Sequence, residues 1–250
     1  MTSLATRVVG TGEPLAFVHG FTQTGNSWLP LLHHMTTPVC ATLIDAPDHG
    51  NSHLSLSLTE TADELVALVG QQTLVGYSMG ARMALTAAIA YPQAFTRLVL
   101  ISGTAGLDTE EERRQRVASD EALATHIEDA GVEAFIPEWL ANPMFAGLST
   151  ENARINERLT NSASGLASSL RRAGTGTQQP VWNSLHTLAI PVLVIAGQND
   201  KKFSAIAERL HSLLPNSELH IHPNVGHTVH LEDPAGCAAV LDNWLQRTQR

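Results

Sequence analysis

Residues 73–85 read Thr73-Leu74-Val75-Gly76-Tyr77-Ser78-Met79-Gly80-Ala81-Arg82-Met83-Ala84-Leu85, and this stretch decides the fold. A short apolar run precedes a G-x-S-x-G pattern, and a helix-forming run follows it. The positions two before and two after the serine must be small, because a strand and a helix approach each other at this turn. The stretch therefore predicts a strand–turn–helix unit that exposes the Ser78 hydroxyl beside the N-terminus of a helix, where unpaired N–H groups attract negative charge.

A nucleophilic serine needs a base and an acid that orients the base, and both follow Ser78 along the chain. Asp200 ends the stretch 191–200, a β-branched run that breaks into polar turn residues, so its carboxylate is expected just past a buried strand. His227 lies in a glycine-containing loop after the strand-like stretch 217–222. The order Ser78, Asp200, His227 is that of the α/β-hydrolase triad and differs from the chymotrypsin and subtilisin orders. We predict these three residues to be catalytic.

His227 has competitors, because the chain contains 12 histidines. His230 is the nearest rival, but it directly precedes residues 231–234, which indicate the beginning of the final helix. Several histidines in helix-like segments are predicted to serve only at the surface or in packing, namely His33, His34, His126, His186 and His211.

A second apolar stretch, residues 15–21, ends in His19-Gly20-Phe21. In an α/β-hydrolase the loop at this place donates one N–H to the oxyanion hole, and the residue after the nucleophile donates the other. The backbone amides of Phe21 and Met79 are therefore the predicted hole. His19 is expected to brace the loop by hydrogen bonding.

The remaining pattern predicts an α/β fold with a mostly parallel sheet and helices on both faces. Strand-like runs alternate with helix-like runs at 59–70, 81–91, 204–214 and 234–247. The alternation stops between 101 and 190, where amphipathic helical stretches begin with a capping pattern at Thr109 and Glu112. We predict an α/β-hydrolase core at 1–104 and 186–250, with an inserted helical cap at 105–185 over Ser78.

The composition limits the classes of binding partner and the cellular compartment that we expect for this chain. With 43% hydrophobic and 16% charged residues, the chain is typical of a soluble enzyme, and it has neither a membrane-length apolar run nor a signal pattern, so we expect a cytoplasmic protein. The net charge of −9 argues against nucleic acid or an anionic membrane as partner. Cys40 and Cys237 form no disulfide or metal pattern and are expected to be buried apolar residues. No metal is therefore expected. No phosphate-binding glycine loop is recognised either, so no cofactor is expected. No particular oligomeric state is predicted.

An anionic small molecule remains compatible with this charge, because a pocket can be locally positive. Arg82 comes one helical turn after Ser78, where a cation opposes the helix dipole and so suggests a binding role. The predicted cap is rich in arginine, whereas the only lysines of the chain are Lys201 and Lys202. Arginine binds carboxylates through a bidentate fork, although exposed arginines that pair with neighbouring glutamates would explain much of the same pattern.

Together these residues resemble the 2-succinyl-6-hydroxy-2,4-cyclohexadiene-1-carboxylate synthase family of menaquinone biosynthesis. The resemblance rests on motifs in core and cap: His19-Gly20-Phe21, residues 76–82, Glu138-Trp139 with Pro143-x-Phe145, Ser169-Leu170-Arg171 with Gly174-Thr175-Gly176, Asp200-x-Lys202-Phe203 and Gly226-His227. It implies that the substrate is bound by Tyr77, Arg82, Arg116, Trp139, Arg158 and Arg171. The chain departs from the family pattern at Thr160, where the family carries an arginine; Arg158 is the residue expected to compensate.

The resemblance implies a lyase reaction on an anionic substrate that carries several carboxylates and an enolpyruvyl group. A proton is removed, pyruvate is expelled and no acyl-enzyme forms. Two alternatives remain at this stage. One is a serine carboxylesterase or a carbon–carbon bond hydrolase with the same triad, and the other is a ligand-binding receptor that keeps the fold with little turnover.

Overall fold

The architecture is a single sheet between two layers of helices, and a computed structural model describes it for residues 3–248. Within that range the strands are β1 (Thr6–Val9), β2 (Glu13–Val18), β3 (Val39–Ile44), β4 (Thr73–Tyr77), β5 (Arg97–Ile101), β6 (Val192–Gly197) and β7 (Ser217–His222). Their order across the sheet is β1-β3-β2-β4-β5-β6-β7. β1 pairs antiparallel with β3 and all other neighbours pair in parallel, so the predicted α/β-hydrolase fold with its mostly parallel sheet is confirmed.

Helices follow most strands. The α-helices are α1 (Leu29–His34), α2 (Leu58–Val69), α3 (Met79–Ala90), α4 (Glu110–Ala130), α5 (Val132–Leu140), α6 (Ile155–Arg158), α7 (Ala163–Ala173), α8 (Lys201–Leu213), α9 (Val229–Glu232) and α10 (Pro234–Thr248). Short 3-10 helices cover Gly25–Trp28, Pro143–Phe145 and Trp182–Thr187. None of the helices within residues 3–248 combines the length and the apolar character needed to cross a membrane.

The central strands are apolar because both faces of the sheet are covered. β4, β5 and β6 are buried along their whole length, which is typical of parallel strands between two helical layers. One face packs against Leu65 of α2, Met83 of α3 and Leu210 of α8. The other face packs against Leu31 of α1 and Trp244 of α10. Burial of apolar surface on both faces therefore fixes the sheet as a rigid support for the loops at its edge.

The chain between β5 and β6 forms α4 to α7, which share an apolar cluster of their own. Ile127, Phe135 and Leu166 are buried in it. α4 begins with the predicted capping box, because the Thr109 hydroxyl accepts the Glu112 amide while the Glu112 carboxylate accepts the Thr109 amide. The exact limits of a cap at 105–185 stay a prediction.

The loops that follow β2, β4, β5 and β6 meet at the carboxyl edge of the sheet, where parallel strands present ligand-binding loops. α8 begins at Lys201, before the predicted residue 204, because Asp200 caps the helix by accepting the Phe203 amide. Of the two cysteines, Cys237 is buried as expected, but Cys40 is only half-buried. Cys40 lies on β3, next to the edge strand β1, where the cover is thinner.

Candidate active site

Ser78 lies on the strained turn that the glycine pattern predicts. Its backbone has φ 50° and ψ −105°, a conformation that few non-glycine residues adopt. A Cβ on Gly76 would lie 2.4 Å from the Gly80 carbonyl oxygen, and a Cβ on Gly80 would lie 2.2 Å from the Val18 carbonyl oxygen. Only glycine therefore permits the close approach of β2, β4 and α3 that holds Ser78 at the edge of the sheet.

The structure brings Ser78, His227 and Asp200 together. His227 Nε2 lies 3.1 Å from Ser78 Oγ, and His227 Nδ1 lies 2.7 Å from Asp200 Oδ2. Burial raises the pKa of Asp200, but hydrogen bonds from His227 and the Phe203 amide outweigh burial and hold this pKa below its usual value. A carboxylate in that state fixes the imidazole with Nδ1 protonated, so that Nε2 can accept the proton of Ser78.

Two further contacts hold His227, and neither was predicted from the sequence. The Phe203 ring packs edge-on against the imidazole with centroids 4.5 Å apart. The Ser102 hydroxyl donates to the His227 carbonyl oxygen at 2.8 Å. Ser102 directly follows β5 and has a positive φ of 49°, as Ser78 does after β4. Its place just past the buried apolar run 98–101 is the only signal in the sequence that could have identified it.

His230, the rival of His227, has a different environment. It is fully buried between Trp28 and Tyr77, with ring centroids 4.5 and 4.3 Å away. It lies on the separate one-turn helix α9, not at the beginning of the final helix. Burial lowers the pKa of His230 well below its usual value, so the ring is a neutral part of the packing.

The loop after β2 rests on the residue that precedes Ser78. A Cβ on Gly20 would lie 2.5 Å from Cε1 of Tyr77, so glycine alone allows the loop to lie on that ring. His19 braces the loop as expected, because its Nε2 accepts the Ala46 amide at 2.9 Å while Nδ1 donates to the Gly20 carbonyl. Burial lowers the pKa of His19 to about 4, which keeps the ring neutral in this double role.

The predicted oxyanion amides lie on the same loop and on α3. The N–H groups of Phe21 and Met79 have no acceptor among the residues that the structure describes. Both residues line the same cavity as Ser78. The two amides are therefore available to a substrate oxygen, although their role in an oxyanion hole remains a prediction.

A cavity of about 470 Å³ opens over Ser78 between the sheet edge and the helices α4, α5 and α7. Its wall includes eight of the predicted site residues: Phe21, Ser78, Met79, Arg82, Arg116, Trp139, Asp200 and His227. Trp139 packs edge-on against Phe21 with centroids 5.4 Å apart, so the cap touches the loop after β2 directly. This volume suits a small molecule of one or two rings.

Arg82 is a buried cation on the cavity wall. It is 6% exposed and donates to the Ala173 carbonyl oxygen at 2.8 Å and, more weakly, to Gln178 at 3.5 Å. No carboxylate among residues 3–248 lies within ion-pair distance of it. Burial lowers the pKa of Arg82 to about 10, nearby Arg116 lowers it further and Asp120 acts in the opposite direction, so the group stays charged at neutral pH.

Arg116 also reaches the wall, where its Nε donates to Asp120 Oδ1 at 2.7 Å. Asp120 is buried and lines the cavity. Lys202 also lines it, from an exposed position at the beginning of α8. Asp120 was not predicted as a site residue from the sequence. Its spacing of four residues from Arg116 on one helix does indicate an ion pair between the two. The cavity thus combines the cations Arg82, Arg116 and Lys202 with the carboxylates Asp120 and Asp200.

Three predicted substrate-binding residues do not line this cavity. Tyr77 is buried behind the loop after β2, and its hydroxyl lies 3.5 Å from Thr228 Oγ1. Arg158 is buried, donates to the Ala153 carbonyl and contacts the Thr22 hydroxyl. Arg171 lies outside the cavity, where Glu121 and Glu128 bind its guanidinium.

The departure at Thr160 lies away from the cavity. Thr160 is exposed, and its hydroxyl donates to the Glu157 carbonyl oxygen at 2.7 Å. Arg158, which points inward from the same segment, is 2% exposed and supplies a buried positive charge next to the loop after β2. That Arg158 compensates for Thr160 in substrate binding stays a prediction.

Comparison with known proteins agrees with this geometry. Residues 15–240 match the model of the alpha/beta hydrolase family. A Bacillus subtilis (strain 168) protein, provisionally named 2-succinyl-6-hydroxy-2,4-cyclohexadiene-1-carboxylate synthase, is 37% identical over 93% of this chain and 90% of its own length. The synthase of that name from Photorhabdus laumondii subsp. laumondii is 31% identical over 92% of this chain and 84% of its own length.

A solved structure of MenH from S. aureus is similar over the whole chain. It superposes with a TM-score of 0.91 at 30% sequence identity and covers 100% of both chains. Such agreement extends to the helices between β5 and β6 as well as to the sheet. The chain therefore belongs to the alpha/beta hydrolase family and, within it, to the 2-succinyl-6-hydroxy-2,4-cyclohexadiene-1-carboxylate synthases.

Proposed function

We propose that this chain is a lyase of menaquinone biosynthesis that eliminates pyruvate from a polycarboxylated cyclohexene intermediate. The observation that carries the proposal is Arg82. A buried guanidinium with no carboxylate at ion-pair distance is costly, because the more distant Asp120 offsets only part of its desolvation. A substrate carboxylate in the cavity next to Ser78 supplies that partner.

Ser78 and His227 act in this scheme as a proton relay. Asp200 holds the imidazole, the imidazole accepts the Ser78 proton, and Ser78 Oγ takes a proton from the carbon next to the succinyl carbonyl of the substrate. The 3.1 Å separation between His227 Nε2 and Ser78 Oγ supports such a transfer. The protonated His227 then returns its proton to the departing pyruvate, and no bond forms between the serine and the substrate.

Negative charge develops on the succinyl carbonyl oxygen when the proton leaves. The free amides of Phe21 and Met79 lie beside Ser78 on the cavity wall, and donors fixed in advance stabilise such a charge without reorganisation. Arg158 adds a buried positive charge next to Phe21 through its contact with Thr22. The two amides and the nearby positive charge together favour an oxyanion at this end of the cavity.

The cations of the cavity fix the orientation of the substrate. Arg82 contributes from the core, Arg116 from the cap and Lys202 from the beginning of α8. A substrate with several carboxylates is held from three elements at once, which aligns its acidic carbon with Ser78. Trp139 and Phe21 supply an apolar wall for the ring.

The main alternative is a carboxylesterase or a carbon–carbon bond hydrolase, which would use the same triad for acyl transfer. The two mechanisms differ in the fate of Ser78, because acyl transfer modifies it and elimination does not. We also propose that the reaction takes place in the cytoplasm; the absence of nucleic-acid and membrane partners stays a prediction.

Purified protein supplied with the enolpyruvyl intermediate tests the proposal. Pyruvate release is followed through lactate dehydrogenase, and the intact mass of the enzyme is recorded during turnover. We expect saturable pyruvate release with an unmodified enzyme. An adduct on Ser78, or no release of pyruvate, would overturn the proposed elimination, and a protein that binds the intermediate without turnover would favour the receptor alternative.

A further inference from the structure

The loop that carries His227 is held by a carboxylate that takes no part in the proton relay. Glu232 ends α9, and its two oxygens accept the backbone N–H groups on either side of His227. Oε2 accepts the Gly226 amide at 2.6 Å and Oε1 accepts the Thr228 amide at 2.9 Å. Hydrogen bonds to an ionised acceptor are roughly twice as strong as neutral ones. The carboxylate thus fixes the backbone on both flanks of the imidazole.

These two bonds complete the attachment of His227. Ser102 binds its carbonyl oxygen at 2.8 Å, and Asp200 and Ser78 bind its ring. The ring contacts set the tilt of the imidazole, whereas the backbone contacts set the point from which the side chain extends. Glu232 is therefore in a position to control the distance between Nε2 and Ser78 Oγ.

The cap segment after α5 lies against the same carboxylate. A Cβ on Gly147 would lie 2.1 Å from Glu232 Oε2, so a side chain at this position would displace the carboxylate. A Cβ on Gly226 would lie 3.6 Å from the Met144 carbonyl oxygen, and Met144 itself lines the cavity. Residues 144–147, the cap segment after α5, thus lie next to the cavity, the Glu232 carboxylate and the His227 loop.

Within residues 3–248, the Glu232 carboxylate forms its side-chain hydrogen bonds only with the loop that carries His227. No Lys, Arg or His among residues 3–248 lies within ion-pair distance of its carboxylate. The neighbouring Asp233, in contrast, binds His222 and the Gly236 amide, each at 2.9 Å, and has no contact with the His227 loop. Two adjacent acids on one turn therefore serve different parts of the structure.

We propose that Glu232 is the positioning residue for the proton acceptor His227, and that the cap reaches His227 through the contact between Gly147 and this carboxylate. Seating of the cap segment on Glu232 brings the His227 loop into register with Ser78. The inference rests on the function proposed for His227, since a loop without a proton acceptor would need no such control. Glu232 touches no part of the cavity, so its effect is expected in kcat and not in KM.

The test compares Glu232→Gln with Asp233→Asn. The glutamine keeps the size of the side chain but turns an NH2 group toward one of the two amides, so one bond is lost. Asp233→Asn is the matched control on the same turn. Three quantities are measured for each variant: kcat and KM for pyruvate release, the rate at which a fluorophosphonate labels Ser78, and the melting temperature.

We expect Glu232→Gln to lower kcat and the labelling rate about 10- to 100-fold, with KM within about twofold of wild type, because a small displacement of the base costs this much. Asp233→Asn is expected to leave both rates within about twofold, even at an equal loss of melting temperature. Gly147→Ala, which pushes the carboxylate from the cap side, is expected to lower both rates in the same direction.

Wild-type labelling of Ser78 in Glu232→Gln would overturn the inference, as would an equal loss of rate in Asp233→Asn. If Glu232→Gln does not fold, Gly147→Ala decides the question: unchanged kcat and labelling then refute the coupling. Labelling by the fluorophosphonate needs no lyase substrate. If wild type is labelled but releases no pyruvate, the proposed function is wrong. The labelling rate of Glu232→Gln relative to wild type still tests the role of Glu232 in that case.

Discussion

Replacement of Arg82 is the most informative perturbation, because the residue is expected to serve both the substrate and the cap. In Arg82→Ala the cavity loses a buried cation that has no ion-pair partner among residues 3–248, and a charge-assisted fork to a carboxylate is worth roughly 2 to 4 kcal/mol in the transition state. At about 1.4 kcal/mol per decade this is a loss of roughly 30- to 700-fold in kcat/KM. Arg82→Lys is expected to recover only part of the loss, because an ammonium cannot form the fork.

The same variant removes the donor to the Ala173 carbonyl oxygen at the end of α7. A buried carbonyl without its partner costs about 1 to 3 kcal/mol, which corresponds to a fall in Tm of about 2 to 12 °C for a chain of this size. Arg113→Ala is the control, because Arg113 also donates to backbone carbonyls, those of Leu107 and Asp108, but does not line the cavity. A lowered Tm with unchanged kcat/KM would refute a substrate contact at Arg82 and leave it a purely structural residue.

Two other predictions concern the triad and the buried histidines. Ser78→Ala and His227→Ala are each expected to lower kcat by several orders of magnitude. The double variant is expected to be little worse, because the losses from residues that act as one unit are not additive. Additive losses in steady-state kinetics would contradict a shared proton relay. Burial lowers the pKa of His19 to about 4 and that of His49 to about 3, so below pH 6.5 the unfolded state binds protons that the native state cannot. Stability from these two residues is therefore complete above about pH 7 and falls by about 4 kcal/mol from pH 7 to pH 5, and the buried His230, whose pKa is also lowered, adds to the fall. Urea unfolding at the two pH values measures this loss. A free energy of unfolding that is unchanged over this range would show that the rings ionise freely in the fold.

The core of the site was predictable because its signals are local. The glycines around Ser78 are required by contacts within one strand–turn–helix unit, and the Thr109 cap is fixed by Glu112 three residues later. Asp200 and His227 followed from the strand pattern, since parallel strands bring their following loops to one edge.

The substrate-binding residues were harder to predict because they depend on how distant helices pack. Arg171 is bound by Glu121 and Glu128, which are 50 and 43 residues away and lie on α4, so its direction is set by the packing of α7 on α4. Tyr77 neighbours Ser78 in sequence but packs on the opposite side of the strand, in the cluster that contains Trp244. No spacing rule reveals either arrangement.

The relative rates on two substrates test the central claim most directly. The same preparation is assayed for kcat/KM with the polycarboxylated enolpyruvyl intermediate, by pyruvate release, and with a short-chain nitrophenyl ester, by nitrophenolate release. A lyase that depends on the carboxylate contacts of Arg82, Arg116 and Lys202 is expected to turn over the ester feebly, because the ester lacks the groups that position the reacting carbon. Ester hydrolysis more efficient than pyruvate release would contradict the account and assign the chain to the hydrolases.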